Sequence, residues 1–375
     1  MDYVKYGIVG CGSVWRLHSM GIKNNPKIKI ASIFDVDEKK AKINAKKFDA
    51  NAYKTYEDLL KSDIDAVIIM VPHFLHEQYV LAAAKAGKHV LCEKPMATTL
   101  EGCDDMIKAT KKAEVKFMIA ENHRFLPAHK YIREAVNSGL LGKIFLVRSY
   151  EGVNEIPGLM KEGFWKGHPI LAGGGSLMDM GTHKFAIINW ILNDKVESAY
   201  CWLTKQCTNV DEKAEDNAMV FLKYSKGTIV ETIVSFSVIS PPTNSLEIYG
   251  TEGTLIENHE WYKPVRIYSN NEKMGKNKNK WFEPEIIHGP YPKYYKISMG
   301  LEDSYFTDCI LENKEPEFTP QQAKEAIATV LLSYLSAERT ATTKYDELIR
   351  IYKTIGTKTI LEGLNDAIQN NYCIE

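Results

Sequence analysis

Short runs rich in Ile and Val alternate with amphipathic stretches through the first third of this chain, and no other feature restricts its fold as much. The runs cover residues 5–9, 28–34, 66–71, 89–92 and 115–120. They are almost free of polar residues, as strands covered on both faces are. Between them, residues 14–23, 38–48, 76–86 and 100–112 carry helical periodicity, and Gly87 follows the third as a stop. Alternation at this spacing predicts an α/β fold with a doubly wound parallel sheet.

From about residue 143 the pattern changes. Residues 144–150, 198–208, 218–224 and 228–237 are β-prone, and Ser225, Lys226 and Gly227 read as a hairpin turn between the last two. Alternation through Val220, Leu222 and Tyr224 predicts an open, mostly antiparallel sheet with one free face, suited to a ligand or a second copy of the chain. Residues 322–339 and 345–370 return to helical periodicity. We therefore expect a doubly wound α/β domain at 1–122. An α+β domain at 123–375 follows, its last helices, from about 303, packing back toward the first.

Charge narrows the function. With 47 basic against 48 acidic residues the net charge is −1, too little for a primary nucleic-acid partner. The longest apolar run, residues 66–71, is far short of a bilayer span, and no membrane partner is expected. The N-terminus lacks an export pattern, and seven cysteines with no C-x-x-C pair suit a reducing compartment. A cytoplasmic protein is the expectation.

The segment Gly7-Ile-Val-Gly10-Cys-Gly12-Ser13-Val14-Trp15 ends the first strand and opens a helix. Gly10 permits a tight turn and Gly12 a close approach of a pyrophosphate, with Ser13 and Val14 at the helix N-terminus. Asp35, closing the second strand, is placed to accept hydrogen bonds from an adenosine ribose and to repel a 2′-phosphate. NAD is thus favoured over NADP. The third fingerprint position holds Trp15 where Gly or Ala is usual, so the helix stands off the sheet or the indole turns aside.

Further segments converge on one family. They are Val71-Pro72-His73-Phe-Leu-His76, Cys92-Glu93-Lys94-Pro95, Asn122-His-Arg124-Phe125-Leu-Pro127, Gly173-Gly-Gly175-Ser-Leu-Met-Asp179-Met-Gly181-Thr-His183 and Gly250-Thr-Glu-Gly253-Thr. Together these resemble the glucose–fructose oxidoreductase/inositol dehydrogenase (Gfo/Idh/MocA) family, from about residue 5 to about 340. The resemblance implies a Rossmann domain joined to an open sheet that often mediates oligomers. A nicotinamide cofactor and a sugar- or cyclitol-like substrate are implied between the domains. It implies Lys94, Asp179 and His183 as catalytic, and Pro72, His73, His76, Glu93, Lys94 and Asn122 along the cofactor. Trp165 falls where a loop commonly covers the nicotinamide, and Arg124 and His168 fall toward the substrate. Ala186 departs from the pattern, since many members carry an Asp there.

Oxidising a secondary alcohol requires removal of a hydroxyl proton as hydride leaves the same carbon, so a base and a nearby positive charge both help. If residues 176–190 are helical, Asp179 and His183, four apart, share a face. His183 suits general base work, Asp179 can orient its ring or a substrate hydroxyl, and Lys94 can stabilise the developing alkoxide. The leading reading is an NAD-dependent dehydrogenase of a sugar, cyclitol or glycoside hydroxyl, C3 of a hexopyranosyl unit being one case. An NAD-dependent glycosidase working through C3 oxidation and elimination is the alternative, and a non-catalytic nicotinamide sensor a third. His73 and His76 lack a third ligand, so no metal is expected. A homo-oligomer is.

Overall fold

The Gly-x-Gly turn lies where β1 (Val4–Val9) hands over to α1 (Ser13–Ile22). In this computed structural model the described residues are 2–23, 25–208, 214–286, 289, 291–364 and 368. The alternation continues as β2 (Ile28–Phe34), α2 (Glu38–Phe48), β3 (Asn51–Tyr53), α3 (Tyr56–Lys61), β4 (Ala66–Ile69), α4 (His76–Lys85), β5 (His89–Glu93), α5 (Leu100–Lys112) and β6 (Phe117–Ala120). These strands pair in parallel in the order β3-β2-β1-β4-β5-β6. The order reverses between β1 and β4, where such sheets bind ligands at their carboxyl ends. The short β3 and α3 were not expected from the sequence, because three residues and six residues are too few to display a period.

The described residues fall into two units. One runs to Phe125 and includes Tyr295–Lys324; the other holds Leu126–Tyr294 and what is described from Glu325 on. The second unit contributes α6 (Pro127–Asn137), β7 (Ile144–Gly152), α7 (Ile156–Leu159), α8 (Thr182–Leu192), β8 (Val196–Thr204), β9 (Asn217–Tyr224), β10 (Ile229–Ser235), β11 (Thr243–Gly250), β12 (Gly253–Asn258), β13 (Val265–Ser269) and β14 (Trp281–Phe282). Then come α9 (Lys293–Leu311), α10 (Pro320–Arg339), β15 (Thr343–Lys344), α11 (Tyr345–Thr354) and α12 (Lys358–Glu362). The second sheet runs β14-β13-β12-β11-β7-β10-β9-β8-β15, antiparallel at every pairing except β7 with β10. Val220, Leu222 and Tyr224 face its buried side, while Tyr200, Phe221, Glu231, Arg148 and Glu247 form a row across five strands on the other.

Tyr295–Lys324, which includes the start of the stretch expected to pack back toward the first domain, belongs with the Rossmann unit. Phe306 enters the buried cluster of Tyr6, Ile8, Ile33 and Leu91, and Tyr6 Oη lies 2.9 Å from Thr307 Oγ1. Beyond Glu325 the chain serves the second unit. The expected helix over 345–370 is broken. α11 stops at Thr354, and Gly356 adopts φ +85°, a left-handed stop that ends helices readily. Residues 365–367, 369 and 370 of that run, and Cys373, lie outside the described residues.

Candidate active site

At the cofactor end, Gly10 has φ +95°, and a Cβ there would lie 2.3 Å from the carbonyl oxygen of Met70. Only glycine fits where the turn crosses the end of β4. Gly12 caps α1 without a side-chain hydrogen bond, no acidic residue occupies the first turn, and a Cβ on Gly12 would meet nothing within 4 Å. Ser13 is exposed beside it and Val14 half-buried. Unsatisfied helix N–H groups facing open space fit a pyrophosphate. Asp35 braces the turn: its Oδ2 accepts from Cys11 N at 2.6 Å and its Oδ1 from Asp37 N at 2.8 Å. A carboxylate has further lone pairs for a ribose hydroxyl. The indole of Trp15 turns away from the glycine turn, donating to Asn44 Oδ1 at 2.9 Å and packing on Phe48 of α2 at 5.3 Å.

The loops after β4, β5 and β6 carry the next residues. Pro72 precedes a 3₁₀ turn that begins at His73, which is buried. His76, expected along the cofactor, sits between two of these loops. It is fully buried, with Nδ1 2.7 Å from the Pro95 carbonyl oxygen and Nε2 2.9 Å from that of Val71. Burial holds its pKa below the ordinary histidine value, while the two carbonyls draw it the other way. The ring ties the loop after β4 to the one after β5.

Glu93 is buried and its Oε2 accepts from Lys94 N at 3.1 Å, while the Lys94 side chain is half-buried. Behind Glu93 lies His18, which sequence reasoning did not place in this role. Its Nε2 is 3.0 Å from Glu93 Oε1 and its Nδ1 2.9 Å from Asp303 Oδ1. Asn122 donates to Ser298 Oγ at 2.8 Å. Arg124, expected toward substrate, is packed into its own unit. Its guanidinium lies 4.2 Å above the Phe318 ring and donates to Gln322 Oε1 at 3.2 Å.

In the second unit the expected helix over 176–190 begins as a π turn at Leu177–Gly181 and becomes α8 only at Thr182. Such turns are costly and cluster at functional sites. Asp179 lies in the π turn and His183 in the first turn of α8; both are buried. The segment before the turn is caged by Glu215. Its Oε1 accepts from Leu177 N at 2.8 Å and from Tyr334 Oη at 2.9 Å, and its Oε2 from Gly175 N at 3.1 Å. A Cβ on Gly175 would lie 1.8 Å from the Glu215 carbonyl oxygen, so the glycines permit this approach. Ala186, the departure from pattern, is a buried core position on α8.

Sequence reasoning also missed Lys166. Its Nζ bridges Asp179 Oδ2 at 3.0 Å and Glu155 Oε1 at 3.1 Å. Burial lowers its pKa, but the two carboxylates outweigh that and raise it above the ordinary lysine value. The only available signal was its position between Trp165 and His168, both half-buried. His168 Nδ1 accepts from Ile170 N at 3.2 Å and Leu171 N at 3.3 Å, which leaves its proton on Nε2.

Residues 4–121 match the model of an oxidoreductase family with an NAD-binding Rossmann fold, and residues 129–256 the GFO/IDH/MocA C-terminal domain. The chain belongs to the GFO/IDH/MocA family. It is thus an NAD(P)-dependent oxidoreductase. Among its relatives is a 1,5-anhydro-D-fructose reductase of Ensifer adhaerens, 30% identical over 70% of this chain and 78% of that one. A myo-inositol 2-dehydrogenase of Thermotoga maritima is 29% identical over 67% and 74%. The fold is shared with a levoglucosan dehydrogenase solved with NADH and levoglucosan, at TM-score 0.81 and 20% identity over 92% of this chain and 99% of the other. No helix among the described residues is long and apolar enough to cross a membrane.

Proposed function

We propose that this family member is an NAD-preferring dehydrogenase that oxidises a secondary hydroxyl of a sugar, cyclitol or glycoside. The observation that carries the reading is the buried Asp179, held by Lys166 in a π turn and followed four residues on by buried His183. A carboxylate held by an ammonium has a fixed direction in which to orient a hydroxyl or an imidazole, and the imidazole takes the hydroxyl proton. Lys94 supplies the positive charge for the alkoxide. Bound nicotinamide supplies the hydride acceptor. Trp165 and His168 act as cover and polar contact for the substrate, and Asn122 lines the cofactor.

Preference for NAD rests on Asp35, whose charge opposes a 2′-phosphate. The polyol-type substrate class is supported by relatives that reduce 1,5-anhydro-D-fructose or oxidise myo-inositol. A cytoplasmic homo-oligomer completes the proposal. Exposed Trp202 and Phe221, with Tyr200 beside them, give the open sheet face an apolar patch for a second copy.

The test is a panel of sugars, inositols and glycosides with NAD, read at 340 nm and followed by product NMR. We expect NADH to accumulate with one class and NMR to show a ketone at one ring carbon. Aglycone release without NADH would replace this reading with the glycosidase. Lys94→Ala and His183→Ala should each cut turnover by at least about 10²-fold while cofactor binding survives.

A further inference from the structure

On the buried face of the second sheet, a carboxylate interrupts the apolar pattern of β12. Glu257 on β12 sits between Leu246 of β11 and Val265 of β13, and two residues before it Leu255 is fully buried. A carboxylate in such a slot costs several kcal/mol unless a cation meets it. Two histidines do approach. His259 follows the end of β12, and its Nε2 lies 2.6 Å from Glu257 Oε1; His129, in the first turn of α6, brings its Nε2 to 3.8 Å from Oε2. All three residues are buried, at 0–1% exposure.

Their geometry is convergent. Both histidines aim a ring nitrogen at the one carboxylate, His259 at Oε1 and His129 at Oε2. One ligand atom from each residue lies within 4.8 Å of the other two. Two ligands about 2.1 Å from a tetrahedral ion stand roughly 3.4 Å apart, which lies between the two observed separations. The neighbouring ammonium of Lys184 is given to Asn244 Oδ1 at 2.6 Å and Ser245 O at 3.2 Å. Glu151, a second buried carboxylate, lies within electrostatic reach of Lys184.

We propose that His129, Glu257 and His259 form a divalent-metal site of the zinc type. Two imidazoles and one carboxylate suit zinc and its borderline neighbours, not calcium or magnesium, which want oxygen ligands throughout. Burial makes the site structural: it ties α6 to β12, and α6 packs against α8, the helix that carries His183.

The experiment uses the full chain, stripped with a chelator, dialysed and titrated with Co²⁺ alone, then with Zn²⁺. We expect one Co²⁺ per chain, the intense visible bands of a tetrahedral ion, their loss on adding Zn²⁺, and a melting temperature that rises with Zn²⁺. His259→Gln and Glu257→Gln should each weaken uptake more than the roughly 10–100-fold that loss of a supporting residue causes. A folded wild-type chain that takes up neither ion overturns the proposal, and a proton shared with the histidines then neutralises Glu257. Uptake unchanged in both variants overturns it equally. If a variant fails to fold, the wild-type titration decides alone.

Discussion

Lys166 Nζ stands 3.0 Å from Asp179 Oδ2, so the carboxylate expected to orient chemistry is itself oriented by a lysine thirteen positions before it, outside any recognised motif. The same ammonium reaches Glu155 at 3.1 Å, which fixes it from two sides. Removing the charge frees Asp179 to rotate, and small misplacements of a reacting group are expensive. Lys166→Met should lower kcat/KM by about 10²-fold with NADH affinity unchanged, and Lys166→Arg should recover part of the loss. Steady-state kinetics beside NADH fluorescence titration check both halves.

Asp35 divides its work between structure and selectivity. It receives Cys11 N and Asp37 N, so a variant must keep an oxygen while losing the charge. Asp35→Asn does that. Relief of repulsion worth about 1.4 kcal/mol moves the NADP-to-NAD ratio of kcat/KM about tenfold toward NADP. An unchanged ratio would remove Asp35 from the specificity argument.

The Rossmann half was legible because each buried parallel strand is a nearly unbroken apolar run. Residues 28–34, 38–48 and 100–112 were read at the bounds they take. What escaped depends on distant pairs. His18 looks like one more residue on α1 until Asp303 arrives from α9, and the burial of His76 between the Pro95 and Val71 carbonyls shows only in the fold. Arg124 likewise meets Phe318 and Gln322 nearly two hundred residues on. Glu215 drew no notice in the sequence, and its role shows only where Gly175, Leu177 and Tyr334 converge on it. The π turn left no trace because the sequence around it satisfies an ordinary helix.

His18 is the cation between two buried carboxylates. Burial pushes its pKa down, but Asp303 and Glu93 overcome that and raise it well above the ordinary value. Its stabilising contribution is therefore full below the unfolded histidine pKa and is lost as pH rises through the folded one. His18→Gln leaves the carboxylates facing each other and should cost about 3–5 kcal/mol in urea unfolding at pH 6. Adding Asp303→Asn to the same chain should return part of that, since the two sites share one interaction.

Glu215 makes stability fall with pH through a separate window. Burial raises its pKa from 4.5 to about 7, against the hydrogen bonds from Leu177 N, Tyr334 Oη and Gly175 N that favour the ionised form. Between those two values the folded chain holds a proton that the unfolded chain has released, so stability declines as pH rises from about 4.5 to 7. The decline from this one group is at most about 3 kcal/mol. Glu215→Gln removes that part of the slope. Tyr334→Phe deletes a donor to the carboxylate, moves the folded pKa further up and extends the decline to higher pH. Melting temperatures of the three proteins between pH 4 and 8 distinguish these outcomes, and a slope equal in wild type and Glu215→Gln would show that the carboxylate does not titrate in the window.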